Sequence, residues 1–389
     1  MDAKTAIRRR VSAEREGLVA LSHRIHADPE LGWEEEHGSA WVAELLADAG
    51  FDVTPNACDL PTAFIARAGS GPLHVAICAE YDALPGVGHA CGHNIIAAMS
   101  AGAGIAAAEV ADEVGLTVSV IGTPAEEVGN ASGKILMLER GAFDGVHAAM
   151  MVHPAPFDWV VPRLIAASMF EVRYTGKAAH ASAFPDQGIN AADALTIAQT
   201  AIGLLRQHIR QTDRIHGIVT KGGDAPNIVP AHTEGRYIIR SETVAELGEL
   251  REKVYHCFEA GALATGSTLQ VVGGDQPYTH MIHDGDIADL YRANALAAGR
   301  TLPDLGPLAA RIAASTDMGN VSLAVPSIHP MIGIDSGTAG NHQPEFTAYC
   351  VKPAADKALV DGALAMAWTA VDLAEHDALR ARLTTTEAS

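Results

Sequence analysis

The chain predicts an α/β protein in which a mostly parallel-sheet domain is interrupted by an inserted ferredoxin-like α+β domain. Short apolar strands alternate with helical segments up to about residue 165, an order that implies a parallel sheet with its loops gathered at the carboxyl ends of the strands. Between residues 166 and 281 the order becomes strand, helix, strand, strand, helix, strand, the signature of a ferredoxin-like unit. A length of 389 residues also exceeds what one core commonly supports. The expected domains are residues 1–165 with 282–389, discontinuous, and residues 166–281 inserted between them. Hydrophobic residues make up 48% and aromatic residues 5%, so the cores must come from Ala, Val, Ile and Leu. That suits layered sheets and helices better than a β-sandwich.

Each element has a local reason. Charged and apolar positions recur at helical spacing across residues 6–49. Residues 73–79 form a short apolar strand, and a Pro/Gly loop follows at 81–88. A helix is expected over about 93–109, then a strand at 117–122 with Glu126 and Glu127 in the loop beyond it. A helix at 134–140 leads to a third strand, 147–152, with His153 at its end. In the inserted segment, 166–174, 214–220, 232–240 and 267–272 read as strands, and 190–207 and 244–262 as helices. The mixed pattern resumes with a helix at 286–298, a strand at 327–334, a loop holding His342 and a closing helix over about 353–373.

Asp and Glu outnumber Lys and Arg by 47 to 27, giving a net charge of −20. Such a surface argues against nucleic acid and anionic membranes as partners and for a small-molecule substrate met by local positive groups. The five cysteines are odd in number and scattered, which fits a reducing compartment rather than a disulfide framework. Residues 1–17 are charged and lack the apolar stretch of a secretory signal. The apolar run 94–108 is too short to span a bilayer, so a cytoplasmic protein is expected.

The residues that carry chemistry are His89-Ala90-Cys91-Gly92-His93-Asn94 and the pair Glu126-Glu127. With His153 and His342 they offer sulfur, nitrogen and oxygen donors, a set that suits borderline divalent metals such as zinc or manganese. Singly, each is commonplace. A Cys-x-His is often incidental, and an acidic pair is usually solvated. Here the pair lies between an apolar strand and a small-residue loop, with no Lys or Arg after it until Lys134. Adjacent carboxylates raise each other's proton affinity unless a cation intervenes. One carboxylate beyond those the metal needs is what a hydrolase requires to take the proton from water. Asp82 reads as a carboxylate that fixes the tautomer of a ligating histidine. In the inserted domain, His180 sits at a small-residue turn and Asn227 in a loop. Arg240 ends an apolar run, where a buried guanidinium calls for an anionic partner.

Taken in order, these segments resemble the co-catalytic metalloamidohydrolases of metallopeptidase family 20. That family includes aminoacylases, bacterial glutamate carboxypeptidases, auxin-conjugate hydrolases and aminobenzoyl-glutamate hydrolases. The resemblance runs from His-Arg-Ile-His-Ala-Asp-Pro-Glu-Leu-Gly at 23–32 through Ala-Glu-Tyr-Asp-Ala-Leu-Pro at 79–85 and the hexapeptide. It continues through Pro-Ala-Glu-Glu at 124–127, Gly-Lys-Ala-Ala-His-Ala-Ser at 176–182 and Asn-Ile-Val-Pro at 227–230 to the segment around His342.

The resemblance implies that Cys91, His93, Glu127, His153 and His342 hold one or two divalent ions, zinc or manganese, and that Glu126 is the general base. It implies that His180 reaches the partner's site in a homodimer formed through the inserted domain, where it polarises the scissile carbonyl. Asn227 and Arg240 would hold the substrate carboxylate. There are departures. Glu80 stands where the two-zinc peptidases have a ligating His, Cys91 where they have Asp, and Asn94 where auxin-conjugate and hippurate hydrolases have Asp. Asn94, with 315–322 and 342–346, brings the chain nearest the aminobenzoyl-glutamate hydrolases and the β-alanyl dipeptidase. The activity expected is hydrolysis of the amide bond of an N-acyl amino acid or dipeptide bearing a free carboxylate. Two other classes compete with it. One is a non-catalytic metal or amino-acid binding homologue; the other is a hydrolase using Cys91 as nucleophile, whose thiol bound metal would not protect from alkylation.

Overall fold

The computed structural model describes residues 2–385. They divide into two compact units: residues up to Val128, Ser132–Arg163 and residues from Met281 form the larger, while Gly129–Ala131 and Leu164–His280 form the smaller. The larger unit begins with α1 (Ala3–Ala27), α2 (Glu36–Asp48), β1 (Asp52–Pro55), β2 (Phe64–Ala68), β3 (Leu73–Ala79) and α3 (His93–Ala108). It continues with α4 (Ala111–Val114), β4 (Leu116–Gly122), α5 (Gly133–Glu139), β5 (Ala148–Met150) and β6 (His153–Ala155). The smaller unit contains β7 (Ala166–Thr175), α6 (Ala191–Leu205), β8 (Arg214–Lys221), β9 (His232–Ser241), α7 (Val244–Thr265) and β10 (Thr268–Gly273). The chain then returns to the larger unit through α8 (Gly285–Ala297), α9 (Met318–Ala324), β11 (Ser327–Ile328) and β12 (Met331–Gly333). It ends with α10 (Pro344–Tyr349), α11 (Pro353–Glu375) and α12 (Asp377–Thr385).

The main sheet runs β1-β2-β4-β3-β5-β11. Its centre, β4-β3-β5-β11, is parallel, and β2 and β1 extend it antiparallel. β3 and β4 are almost wholly buried and apolar, as strands covered on both faces must be. α3 is buried along nearly its whole length and packs against α1, α11 and the sheet. Its glycines permit that closeness: a Cβ on Gly102 would lie 2.5 Å from Leu18 Cδ1, and one on Gly104 would lie 2.3 Å from Val120 Cγ2.

The helices expected over 6–49 are α1 and α2, as read, with the turn around Leu31–Glu34 between them. Elsewhere the structure differs from the sequence reading in several elements. β1 and β2 were not expected; they are short, and Asn56, Cys58 and Asp59 between them have positive φ, which breaks any periodic signal. The strand expected at 147–152 stops at Met150, and His153 opens a separate strand, β6. The strand expected at 327–334 is likewise two: β11 joins the main sheet, and β12 pairs with β6. Pro330 lies at the second of these breaks, and a proline has no N–H to give to a ladder.

In the smaller unit the sheet order is β10-β7-β9-β8, antiparallel throughout, the spatial order of a ferredoxin-like β-α-β-β-α-β unit. α6 and α7 bury Leu195, Ile202, Val254 and Phe258 in a core with Phe170, Tyr174 and Tyr237 of the sheet. Asn190 caps α6, and Thr243 with Glu246 forms a capping box on α7, satisfying first-turn amides. Among the described residues no helix is long and apolar enough to cross a membrane, and all five cysteines are free thiols.

Arg300 shows how polar groups lock the larger unit. Its guanidinium reaches Asp158 at 2.8 and 3.0 Å, Asp361 at 3.2 Å and the carbonyl of Gly333 at 2.6 Å. The three side chains are only 10–12% exposed. Arg300→Met should leave Asp158 short of its cation, whereas Asp361 keeps Lys357 at 2.5 Å, and should lower unfolding stability by about 3 kcal/mol in urea titrations.

Candidate active site

Three strand ends and one distant loop supply the candidate residues. β3 ends at Ala79, and Glu80 and Asp82 follow it directly. The chain enters α3 through Gly92, whose φ of +84° favours glycine, so that His93 is the first residue of the helix. β4 ends at Gly122, and the next turn carries Glu126 and Glu127. His153 opens β6. His342 arrives from the loop before α10, held by its own N–H donating to the carbonyl of Ala90 at 2.9 Å.

These side chains converge. Cys91 Sγ lies 3.4 Å from Nε2 of both His153 and His342. Glu127 Oε1 is 3.4 Å from His342 Nε2 and 4.0 Å from His93 Nε2. Asp82 Oδ1 sits 2.8 Å from His93 Nδ1, which turns His93 Nε2 toward the cluster, and its Oδ2 accepts the Glu127 amide at 2.9 Å. His153 Nδ1 donates to the carbonyl of Pro154 at 2.8 Å, which likewise aims Nε2 at Cys91. Three sets of donor atoms, Cys91/His93/His153, Cys91/Glu127/His342 and His93/Glu126/Glu127, each lie within 4.8 Å of one another.

The donors fit a divalent cation. His93 Nε2, Glu127 Oε1 and Glu80 Oε2 are buried without an aligned hydrogen-bond partner, whereas buried polar atoms are ordinarily satisfied. His93 Nε2 lies 3.3 Å from Glu80 Oε2, and imidazole nitrogens and carboxylate oxygens crowded beside a buried thiol without aligned hydrogen bonds are chemistry that a zinc- or manganese-type ion completes.

A fourth acidic set, Glu80/Glu126/Asp317, already has a cation beside it. The fully buried Lys134 of α5 bonds Glu80 and reaches Asp317 Oδ1 at 2.6 Å. Asp317 Oδ2 accepts from Ser132 Oγ at 2.7 Å and from the Lys134 amide at 3.1 Å. Sequence reasoning noted Lys134 only as the next basic residue after the acidic pair and gave Asp317 no role. The signal available was that 315–322 belongs to the recognisable segments.

The electrostatics follow from burial. Burial pushes the Glu126 carboxyl well above the ordinary range, and the charges of Glu80 and Glu127 push it further, while Lys134 opposes them. Burial is the largest influence on Glu80 and works against its ionised form, but Lys134, His93 and His153 together outweigh it and bring this carboxyl down to about 2. Burial works against a charged His93 too, yet Asp82 and Glu80 overcome it and raise the imidazole well above its usual value. Burial, then the charge of Glu127, raises the Cys91 thiol.

The remaining predicted residues lie in the smaller unit. His180 and Asn227 are exposed neighbours: the Ala181 amide donates to the Asn227 carbonyl at 3.0 Å. His180 Nδ1 accepts the amides of Ala183 and Ser182 at 3.2 and 3.3 Å, which leaves Nε2 to carry the proton. Arg240 is half-buried near the end of β9, opposite Arg214. Within the larger unit the structure thus gathers Asp82, Cys91, His93, Glu126, Glu127, His153 and His342.

A family model described as peptidase family M20/M25/M40 matches residues 76–366. The chain belongs to this family. It is similar to the Xaa-Arg dipeptidase of Mus musculus, 37% identical over 385 residues that span 95% of this chain and 88% of the relative. It is also similar to one of the subunits of the p-aminobenzoyl-glutamate hydrolase of Escherichia coli, 34% identical over 67% of this chain and 58% of the relative. Among solved structures, the fold matches a dinuclear metal-binding M20 peptidase of Bacillus subtilis with a TM-score of 0.66, at 21% identity over 94% of this chain and 99% of that one. It matches an aminobenzoyl-glutamate utilization protein of Klebsiella pneumoniae with a TM-score of 0.68, at 19% identity over 91% and 96%. This M20 chain is a metal-dependent hydrolase of amide bonds.

One buried acid of this M20 chain lies outside every predicted role. Glu35 has no exposed surface; its Oε1 accepts the Ala125 amide at 2.6 Å and its Oε2 the Thr62 hydroxyl at 3.0 Å. Burial and the charge of Asp82 push its carboxyl up to about 7 from an ordinary value of 4.5. The folded state therefore holds more protons than the unfolded one between those values, and stability falls as pH rises through that window. Glu35→Gln removes this contribution. Urea titrations at pH 5 and pH 8 should show a smaller stability loss across that interval in the variant than in the parent.

Proposed function

We propose that Cys91, His93, Glu127, His153 and His342 hold two divalent ions, zinc or manganese, and that the substrate is a dipeptide or N-acyl amino acid with a free carboxylate. The observation that carries the metal reading is the crowding of His93 Nε2 and Glu127 Oε1, neither with an aligned hydrogen bond, beside a thiol common to two donor sets. Two sets sharing Cys91 support two ions rather than one. Divalent ions bound there supply the Lewis acidity that polarises a carbonyl and acidifies water. The remaining work falls to the chain's own side chains.

Glu126 takes the proton of the attacking water and returns it to the leaving amine. Its carboxylate lies within 4.8 Å of the ligand atoms of His93 and Glu127, close enough to serve a water held there. His180, with Nδ1 engaged by two amides, offers Nε2–H to the oxygen on which charge develops. Asn227 and Arg240 hold the substrate carboxylate, the arginine by charge-assisted hydrogen bonds. The two named relatives, an Xaa-Arg dipeptidase and an aminobenzoyl-glutamate hydrolase, support a substrate whose scissile amide adjoins an amino-acid carboxylate.

A homodimer through the smaller unit is supported by β8. It is an edge strand, with Ile218 and Val219 63% and 48% exposed, an arrangement that monomers usually avoid. Five free thiols support a cytoplasmic setting. The nucleophilic-cysteine reading is disfavoured, because Cys91 is buried with its thiol raised and is shared between two imidazoles.

Glu126→Gln should retain wild-type metal content and lose about 10²–10⁴-fold in kcat against a panel of dipeptides and N-acyl amino acids. Undiminished turnover in that variant sinks the proton-shuttle role. Cys91→Ser should lower the metal bound per subunit, measured by elemental analysis after dialysis. Full loading with unaltered retention would remove Cys91 from the ligand set.

A further inference from the structure

We propose that Glu35 is a positioning residue for Glu126, acting through the backbone amide of Ala125. The proposal rests on the reading of Glu126 as the proton shuttle. Ala125 immediately precedes Glu126 and has a φ of +57°, in the left-handed region that residues with a Cβ rarely adopt. Such a backbone persists only where its surroundings over-determine it. The determinant here is the 2.6 Å hydrogen bond from the Ala125 amide to Glu35 Oε1.

Glu35 is itself held from the other side. Its Oε2 accepts the hydroxyl of Thr62, and the carbonyl of Thr62 accepts the hydroxyl of the buried Tyr81. Tyr81 is the neighbour of Asp82, whose Oδ2 holds the Glu127 amide. The backbone is therefore gripped on both sides of Glu126: one buried carboxylate takes the amide before it, another the amide after it.

The segment that delivers Glu35 is pressed against the same turn. A Cβ on Gly32 would lie 2.8 Å from Val128 Cγ1 and 3.1 Å from the Ala125 Cα. The Ala83 amide donates to the Glu30 carbonyl at 2.8 Å, tying this segment to the end of β3. The Glu34 amide bonds the Leu31 carbonyl at 2.9 Å, which closes a turn with Trp33 at φ +73°, a position that normally calls for glycine. Two strained residues with side chains, Trp33 and Ala125, thus flank the bond between Glu35 and Ala125. Releasing Ala125 would shift the backbone that carries Glu126, and a displacement of about 1 Å at a reacting group can cost on the order of 10²-fold in rate.

The test compares holoenzyme variants. Glu35→Gln keeps an oxygen for the Ala125 amide, and the Thr62 hydroxyl can rotate to accept from its NH2 group. Glu35→Met keeps the volume and removes both acceptors. On the best substrate from a dipeptide and N-acyl amino acid panel, Glu35→Met should lower kcat about 10²-fold, with KM within about two-fold and metal content unchanged. Amide exchange across residues 124–128 should quicken in that variant. Glu35→Gln should stay within about five-fold of the parent. The proposal is overturned if Glu35→Met turns over like the parent, if its loss merely tracks lost metal, or if Glu35→Gln is as impaired as Glu35→Met. Should Glu35→Met not fold, Thr62→Val takes its place: a fall in kcat alone supports the proposal, and an unchanged kcat overturns it. Glu126→Gln run alongside separates the two readings. A dead Glu126→Gln with an unimpaired Glu35→Met defeats the positioning role alone, whereas an active Glu126→Gln defeats the shuttle on which it rests.

Discussion

A single buried carboxylate, Asp82, lies 2.8 Å from His93 Nδ1 and accepts the Glu127 amide at 2.9 Å, so the loop after β3, the first turn of α3 and the turn after β4 are locked to one another. The sheet makes that lock possible. β3 and β4 are parallel neighbours in register from Leu73 opposite Leu116 to Ala79 opposite Gly122, so their loops leave the sheet at the same level. With Nδ1 engaged, His93 has only Nε2 to offer the cluster, and the separation of that atom from Glu127 Oε1 is set by two hydrogen bonds to one side chain. A ligand pair prepared in this way does not have to be ordered when a cation arrives, which is the usual service of carboxylates behind metal-binding histidines.

The same neighbourhood poses a charge problem. Glu80, Asp82, Glu126 and Asp317 are all buried, and a buried carboxylate without a cation or hydrogen-bond donors is costly. Two kinds of positive charge resolve it. Lys134 is a permanent one: its ammonium engages Glu80 and Asp317, and each attraction outweighs part of the burial cost of the other groups. A divalent ion bound here would be an exchangeable one, and the carboxylate and imidazole atoms that Lys134 does not reach are those open to it. Glu80 illustrates the division. It stands where two-zinc relatives of the family have a ligating histidine, and here one of its oxygens belongs to Lys134.

The loops carrying the candidate ligands near β3 and β4 were legible because each follows a short, mostly apolar strand, and the motifs beyond them occur in an order that single motifs cannot fake. What escaped depends on distance along the chain. Lys134 and Asp317 are 183 residues apart, and a lone lysine near a helix start is ordinarily solvated, so nothing local marks its burial. Glu35 and Ala125 are 90 residues apart, and Glu35 lies in the run Glu34-Glu35-Glu36, which reads as surface. Only the fold selects the middle glutamate for burial. The breaks at His153 and His329 were hidden for another reason. Their apolar runs look continuous, and the shift of pairing from the main sheet to the β6–β12 pair does not alter the hydrophobicity that defines the run.

Asn94 is the departure from the family pattern that packing explains. α3 is surrounded by α1, α11 and the sheet, so the polar side chains of its first turn meet protein groups rather than solvent. The Asn94 amide nitrogen donates to Ser22 Oγ at 2.9 Å and lies 3.3 Å from the carbonyl of Cys350 and 3.4 Å from that of Ser22. Two of those three partners are carbonyl oxygens, which can only accept. An aspartate there would set an anion against them in a dry pocket, whereas an asparagine has the donors they require. The substitution follows from what surrounds the residue, and it leaves His93 anchored to α1 and to the end of α10 through the residue next to it. The Ala- and Gly-rich helix that carries no charge in its interior is therefore what holds the ligand-bearing turn at its buried depth, because only small residues allow α1 to come within reach of Asn94.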